Sequence, residues 1–220
     1  MNGQWYLQTL SARLALLEEE ADRIAAAADI LSEAQKNDRL IHVFGTEPAL
    51  AALVTEVFFR PGAPLHINPI LDPALDPAHG AYRSAMCLSL DGLAPCILDY
   101  YEYVEPGDPI LLLGSDPALP LFAGALQWAQ AHGLQTIAVL CGNERTPACG
   151  ADVTLCSHAS FAAVPPEHTI LTAALLNLLV LETLSRMPDP QACVWTGNHF
   201  VDLEKNRDAI DRLLFRIRHL

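Results

Sequence analysis

The stretch PILLLGSDPALPLFAGALQWAQAHGLQTIAVL, residues 109–140, holds two short apolar runs on either side of a segment of helix length. Residues 110–113 and 136–140 predict strands, and residues 118–132 predict a helix that Gly133 ends. A strand, a helix and a strand in succession predict two parallel strands joined by a crossover. Because the alternation continues along the chain, we predict an α/β fold with a mostly parallel sheet and helices on both faces.

The segments around this unit extend the same pattern. Further strands are predicted at residues 40–44, 65–67, 152–155 and 193–195. Further helices are predicted at residues 48–60, 92–103 and 168–186, and after a capping Asp202. Residues 71–85, which contain Asp72-Pro73 and Asp76-Pro77, predict a loop.

Ligands of parallel α/β sheets bind beyond the carboxyl ends of the strands. The loops that follow the predicted strands are therefore the expected location of a site. They are residues 45–48, 114–117, 141–145 and 162–169.

A long helix is predicted at the N-terminus. Its apolar positions alternate steps of three and four residues, the spacing of a heptad seam. They are Leu7, Leu10, Leu14, Leu17, Ala21, Ile24, Ala28 and Leu31. This seam fits packing against the chain's own core and fits a subunit interface equally well. We predict one domain over residues 1–220, with an N-terminal helix at 1–37, an α/β core at 38–200 and a last helix at 201–220.

The charge balance and the N-terminal sequence restrict the partners and the compartment. The chain has 13 Lys and Arg against 26 Asp and Glu, a net charge of −13, which argues against nucleic acid and anionic membranes as partners. No signal peptide and no apolar run of about 18 residues is evident, so a cytoplasmic protein is predicted.

The six cysteines form no Cys-x-x-Cys pair, which predicts reduced thiols. The spacing of Cys149, Cys156 and His158 matches no standard zinc site, and no bound metal is predicted. No Walker loop, dinucleotide fingerprint or serine hydrolase elbow occurs, so no cofactor is predicted.

Several short motifs along the chain resemble those of a bacterial family of standalone SIS (sugar isomerase) domain proteins. They are Val43-Phe44-Gly45-Thr46, Glu56, Phe58-Phe59-Arg60, Asn68-Pro69-Ile70-Leu71-Asp72-Pro73, Asp99-Tyr100-Tyr101, Pro106-Gly107-Asp108, Ala173-Ala174-Leu175-Leu176-Asn177, Asn206-Arg207 and Arg216-Ile217-Arg218-His219-Leu220. The resemblance covers nearly the whole chain. It implies a three-layer, doubly wound sandwich around a five-stranded parallel sheet, a homodimer or higher homo-oligomer, and binding of phosphorylated sugars or other carbohydrate derivatives.

The two loops that would hold phosphate depart from the family. Relatives have sequences like Gly-Thr-Gly-His-Ser-His and Ser-Asn-Ser-Gly, whereas this chain has Gly45-Thr46-Glu47-Pro48 and Gly114-Ser115-Asp116-Pro117. A phosphate loop works by aiming N–H groups and hydroxyls at the anion. Each loop here keeps one hydroxyl but adds a carboxylate, which repels phosphate, and a proline, which has no N–H. The alternative is that Glu47 and Asp116 cap helices.

The candidate site residues follow from the loops and the resemblance. Ligand-binding candidates are Gly45, Thr46, Glu47, Gly114, Ser115, Asp116, Glu167, Thr169 and Lys205. Aldose–ketose isomerisation needs a base near the sugar, and the candidate catalytic residues are Glu56 and His168. The alternative for each is ordinary: Glu56 on a solvated helix face, His168 beside an N-cap, and Lys205 on the surface.

Three functions follow from this pattern. The first is a ligand-binding protein in sugar-phosphate metabolism or its regulation, in which the altered phosphate loops argue against isomerase activity. The second is an active phosphosugar isomerase that uses Glu56 together with residues from a partner subunit. The third is a paralogue that binds no sugar and acts through assembly.

Overall fold

The computed structural model describes residues 2–101, 103–142, 149–159, 167–197 and 203–220. A parallel sheet lies at its centre. The strands are β1 (Ile41–Gly45), β2 (Ile67–Ile70), β3 (Pro109–Gly114), β4 (Gln135–Leu140) and β5 (Val153–Cys156). They lie in the order β2-β1-β3-β4-β5, and every neighbouring pair is parallel. The predicted five-stranded parallel sheet is confirmed.

Helices surround the sheet. They are α1 (Gly3–Ala15), α2 (Ala21–Lys36), α3 (Pro48–Leu53), α4 (Ala81–Cys87), α5 (Leu93–Leu98), α6 (Pro120–Ala131), α7 (His168–Leu184) and α8 (Leu203–Leu213). Short 3₁₀ helices occur at Leu16–Glu20, Val54–Val57, Pro77–His79 and Pro190–Cys193. Within the described ranges, no helix combines the length and the apolar character that crossing a bilayer requires.

Alternate residues of the central strands face two separate apolar layers. Leu111 and Leu113 of β3 pack in the layer that contains α2 and α7. Ile110 and Leu112 of the same strand pack in the layer that contains α5 and α6. A sheet buried on both faces needs apolar residues at every strand position, which explains the continuous apolar runs.

The N-terminal seam divides into a buried part and an exposed part. The chain is helical from Gly3 to Lys36, with a 3₁₀ segment between α1 and α2. In the second part, Leu17 is 3% exposed and Leu31 is 4% exposed within the chain's own core. In α1, Leu7 is 63% exposed and Leu14 is 37% exposed. Internal packing therefore accounts for Leu17, Ile24, Ala28 and Leu31 of the seam, whereas Ala21 is exposed and no residue of α1 is buried.

Strand β2 differs from the prediction. The strand spans Ile67–Ile70 rather than residues 65–67, so Asn68 and Pro69 lie within it. Proline cannot donate to a sheet ladder, but β2 is an edge strand with β1 as its partner on one side, and proline is tolerated there.

Other element predictions were wrong at their ends or in kind. The helix predicted at 48–60 ends at Leu53 and continues as a 3₁₀ turn, and the one predicted at 92–103 ends at Leu98. Residues 71–85, predicted as a loop, include the first five residues of α4, which is preceded by Gly80 with φ +123° rather than by a side-chain cap.

Residues 193–195 form no sheet strand. A 3₁₀ helix ends at Cys193, and Val194 makes one antiparallel bridge with Pro64. Trp195 is buried in a small apolar cluster with Leu213 and Ile217, and this contact explains the apolar character of the segment. The predicted cap Asp202 lies outside the described residues.

Candidate functional site

The strand order creates a crevice between β1 and β3. From β1 the chain crosses to β2 on one side, and from β3 it crosses to β4 on the other. The two connections leave the sheet in opposite directions, which opens a crevice beyond the carboxyl ends of β1 and β3. The loops at residues 45–48 and 114–117, in which sequence analysis predicted the ligand site, flank this crevice.

Close packing against helix backbone or side chain requires the glycines that end these two strands. A Cβ atom at Gly45 would lie 2.4 Å from the backbone nitrogen of Ala51, because α3 packs directly against the strand end. A Cβ atom at Gly114 would lie 2.3 Å from the ring of Phe122 in α6. Real Cβ contacts are never this short, so both glycines hold their helices close to the crevice.

The Thr46 hydroxyl bonds to the neighbouring strand. The backbone N–H of Thr46 donates to the Leu113 carbonyl oxygen at 2.9 Å, and its Oγ1 donates to the same oxygen at 3.0 Å. The side chain is buried. These bonds join the end of β1 to β3, so the hydroxyl predicted to contact a ligand is already committed within the fold.

Glu47 reaches across the crevice. Its Oε1 accepts a hydrogen bond from the backbone N–H of Ser115, at 2.5 Å, and its side chain makes no cap on α3. Glu47 thus occupies the N-cap position of α3, as the capping alternative expects, but its side chain makes its hydrogen bond with the other loop and not with that helix. Its carboxylate joins the two loops at the switch point of the sheet.

Asp116 makes a local contact. Its Oδ1 accepts from the backbone N–H of Ala118 at 2.9 Å, and the residue is exposed. Helix α6 begins later, at Pro120, with Leu119 as its N-cap residue. Asp116 therefore stabilises a turn and does not cap the helix.

The first two turns of α7 lie next to the end of β4. Cys141, which directly follows β4, lies with its Sγ 2.9 Å from Oγ1 of Thr172. Burial raises the pKa of the Cys141 thiol to about 11, and the nearby Glu47 carboxylate acts in the same direction. His168 lies one turn before Thr172, on the same face of α7.

Glu167 is a buried carboxylate directly before α7. It is 0% exposed, and the Nε atom of Arg13 in α1 lies 3.7 Å from its Oε2. Arg13 also donates to the His158 carbonyl oxygen at 3.1 Å. The pair ties the N-terminal helix to the start of α7. Thr169 follows in the first turn of α7 and is half-buried.

Glu56 belongs to a different cluster. Its Oε1 accepts from Nδ2 of Asn177 at 3.0 Å and lies 3.2 Å from a guanidinium nitrogen of Arg60. Asn177 lies nine positions after His168 in α7, a distance of about 13.5 Å along the helix axis. A single chain therefore does not bring the two predicted catalytic residues to one point.

Two further observations concern residues that sequence analysis named or missed. Lys205 lies in α8, and its side chain is outside the described part of the chain. Cys141 and Thr172 were not predicted as site residues, although the position of Cys141 directly after a strand was a usable signal.

In the described ranges, no group of three or more His, Cys, Asp or Glu side chains is arranged to hold a metal ion.

Comparison with known proteins identifies relatives for most of the chain. A "UPF0309 protein" of Geobacillus thermodenitrificans is 31% identical over 135 residues, which cover 61% of this chain and 53% of that protein. The chain thus aligns with about half the length of that relative. A "UPF0309 protein" of Brucella canis is 27% identical over an alignment covering 98% of this chain and 97% of that protein.

Two solved structures share the fold. A phosphoheptose isomerase from Francisella tularensis superposes with a TM-score of 0.53 at 16% identity, covering 81% of this chain and 98% of that one. The sugar isomerase domain of an RpiR transcription factor from Sphaerobacter thermophilus gives a TM-score of 0.53 at 19% identity, covering 93% and 99%. The sequence model described as "SIS domain" matches residues 4–141, which is more than half of the chain. The chain therefore belongs to the SIS domain family.

Proposed function

We propose that this protein binds a carbohydrate derivative in the crevice between β1 and β3, and that it acts in sugar-phosphate metabolism or its regulation as a binding protein. The observation that carries this proposal is the position of the two loops that begin at Gly45 and Gly114. They lie at the switch point of a parallel sheet, where such folds bind their ligands. Membership of the SIS domain family supports the carbohydrate class.

The arrangement of the acids and bases favours binding over isomerisation. A base that moves a proton between neighbouring sugar carbons must lie within hydrogen-bond reach of them. The Glu56 carboxylate contacts Arg60 and Asn177, and Asn177 lies about 13.5 Å along α7 from His168. An isomerase built on Glu56 would need other residues from a partner subunit.

The test is a titration with a panel of free and phosphorylated aldoses and ketoses. Ligand that binds only the native state raises the unfolding temperature, so thermal shift followed by calorimetry measures binding. We expect stabilisation by at least one carbohydrate and no interconversion of aldose and ketose by NMR. Turnover would favour the isomerase alternative, and no binding across the panel would favour a paralogue that acts through assembly.

We also propose that α1 mediates self-association into a homodimer or a higher oligomer. No residue of α1 is buried in the chain, and Leu7 and Leu14 are exposed. The change L7D should lower the mass measured by light scattering while leaving the unfolding temperature of the chain nearly unchanged. The matched change L17D should instead destabilise the chain, because Leu17 lies in its core. A monomeric mass for the parent protein at micromolar concentration would contradict this proposal.

A further inference from the structure

The Glu47 carboxylate of one loop accepts the backbone N–H of Ser115, a donor that the other loop would otherwise offer to a ligand. We infer that Glu47 is the specificity-determining residue of the crevice: it takes, within the chain itself, the place of a ligand's anionic group. The site then accepts carbohydrates that present hydroxyl or ammonium donors there and rejects those that present a phosphate. This inference rests on the proposed function, because it assigns the ligand class of the same crevice.

The first argument is the occupancy of the donors. The Ser115 N–H has one hydrogen, and Glu47 Oε1 accepts it at 2.5 Å. The Thr46 N–H and hydroxyl both donate to Leu113, and the Ala118 N–H donates to Asp116. Anion recognition by a loop depends on N–H groups and hydroxyls that are free to point at the anion. These four donors all have partners within the chain, and the Ser115 hydroxyl, which makes no hydrogen bond to the residues that the structure describes, is the hydroxyl donor that remains in the two loops.

The second argument is charge. Residues 45–50 and 114–119 contain no Lys or Arg, and they contain Glu47 and Asp116. Arg13 of α1 reaches the start of α7, where it lies 3.7 Å from the Glu167 carboxylate. A phosphate at the Ser115 N–H would therefore have to displace one carboxylate and approach a second. Like charges repel more strongly where water is excluded.

The third argument is what the arrangement still offers. Among the described residues, Oε1 of Glu47 accepts one hydrogen bond and Oε2 accepts none, so Oε2 remains an available acceptor. An ionised carboxylate accepts from several donors at once and can hold sugar hydroxyls or an ammonium group. An unphosphorylated polyol or an amino sugar supplies those donors.

The experiment measures four probes by calorimetry: inorganic phosphate, glucose 6-phosphate, glucose and glucosamine. The variants are E47A, which removes both charge and acceptor, and E47Q, which keeps an acceptor of the same shape without the charge. The control is D116N, which removes an equal charge from an exposed turn. We expect roughly a tenfold or larger gain in phosphate and glucose 6-phosphate affinity in E47A, a smaller gain in E47Q and little in D116N.

A spectroscopic readout ties any gain to the crevice. The Ser115 amide proton should shift in E47A and return toward its original position when phosphate is added, because phosphate then accepts the same hydrogen. If E47A does not fold by circular dichroism, E47Q alone decides the question. Its charge loss should still raise the affinity for phosphate.

The failures of the two proposals are distinguishable. Micromolar binding of glucose 6-phosphate by the parent protein, with no gain in E47A or E47Q, would overturn the role of Glu47 and leave carbohydrate binding intact. An equal gain in D116N and E47Q would also overturn it, because the effect would then be one of net charge. Absence of binding by every probe to the parent and to both Glu47 variants would overturn the proposed function itself.

Discussion

Residues 45–50, GTEPAL, and residues 114–119, GSDPAL, share one pattern: glycine, a hydroxyl residue, an acid, proline, alanine and leucine. The structure uses the two copies differently. In the first, α3 begins at Pro48 and Glu47 reaches the Ser115 N–H. In the second, Asp116 accepts from the Ala118 N–H two residues further on, and α6 begins only at Pro120.

The length of the acidic side chain explains much of this difference. Aspartate readily accepts from the backbone N–H two residues further on, which closes a local turn. Glutamate has one more methylene group, so its carboxylate extends beyond its own turn and finds a donor on the other loop. The same sequence pattern therefore gives a local contact in one loop and a contact between loops in the other.

The largest effect is expected at the first glycine. The change G45A would place a methyl group 2.5 Å from the Cα atom of Ala51, a backbone atom that moves only with α3. We expect a loss of about 3 kcal/mol or more in the free energy of unfolding, measured by urea denaturation. The change G114A meets the Phe122 ring, which shifts more easily than backbone, so its loss should be smaller, about 2 kcal/mol.

The control for both glycine changes is G3A, where a Cβ atom would meet nothing within 4 Å. It should change stability by less than about 0.5 kcal/mol. A G45A protein as stable as G3A would mean that α3 does not pack against the end of β1 as described.

The next effect is expected from the two acids. Hydrogen bonds to charged groups contribute more than neutral ones, so E47A should cost about 2 kcal/mol in urea denaturation. D116A removes an exposed turn contact and should cost about 0.5 kcal/mol. Equal losses in the two variants would contradict the contrast between a contact across the crevice and a local one.

The smallest effect is expected from the two hydroxyls. T46V removes a buried hydrogen bond to Leu113 but leaves that carbonyl oxygen its bond from the Thr46 N–H, so about 1 kcal/mol should be lost. The Ser115 hydroxyl makes no hydrogen bond to the residues that the structure describes, and S115A should change stability by less than about 0.5 kcal/mol. Thermal unfolding of the pair would measure this difference, and the reverse order would show that Ser115 carries the structural hydroxyl.

Sequence analysis predicted the sheet because its signal is local. Apolar runs such as residues 110–113 and 136–140 fill strands buried on both faces, and Gly133 ends the helix between them. The prediction was wrong where tertiary position overrides local chemistry. Pro69 enters a strand because β2 lies at the sheet edge, and α4 forms without a side-chain cap.

The site was predicted in place but not in its bonding. Parallel topology locates the loops at the carboxyl ends of the strands, and that much follows from the order of the elements. The hydrogen bond from the Ser115 N–H to the Glu47 carboxylate joins residues 68 positions apart, so no local pattern reveals it. For the same reason, the grouping of Glu56 with Asn177 rather than with His168 could not be read from residue types.

The hydrogen bond that the Glu47 carboxylate accepts from Ser115 also has a genetic consequence. A glutamate codon becomes a glycine codon through one base change at its middle position. Such a change would remove the internal acid and restore a flexible residue to the loop in one step. Suppose that a randomly mutated gene is selected for variants that bind phosphorylated sugars in this crevice. A substitution at position 47 should then be recovered before any pair of substitutions elsewhere in the two loops.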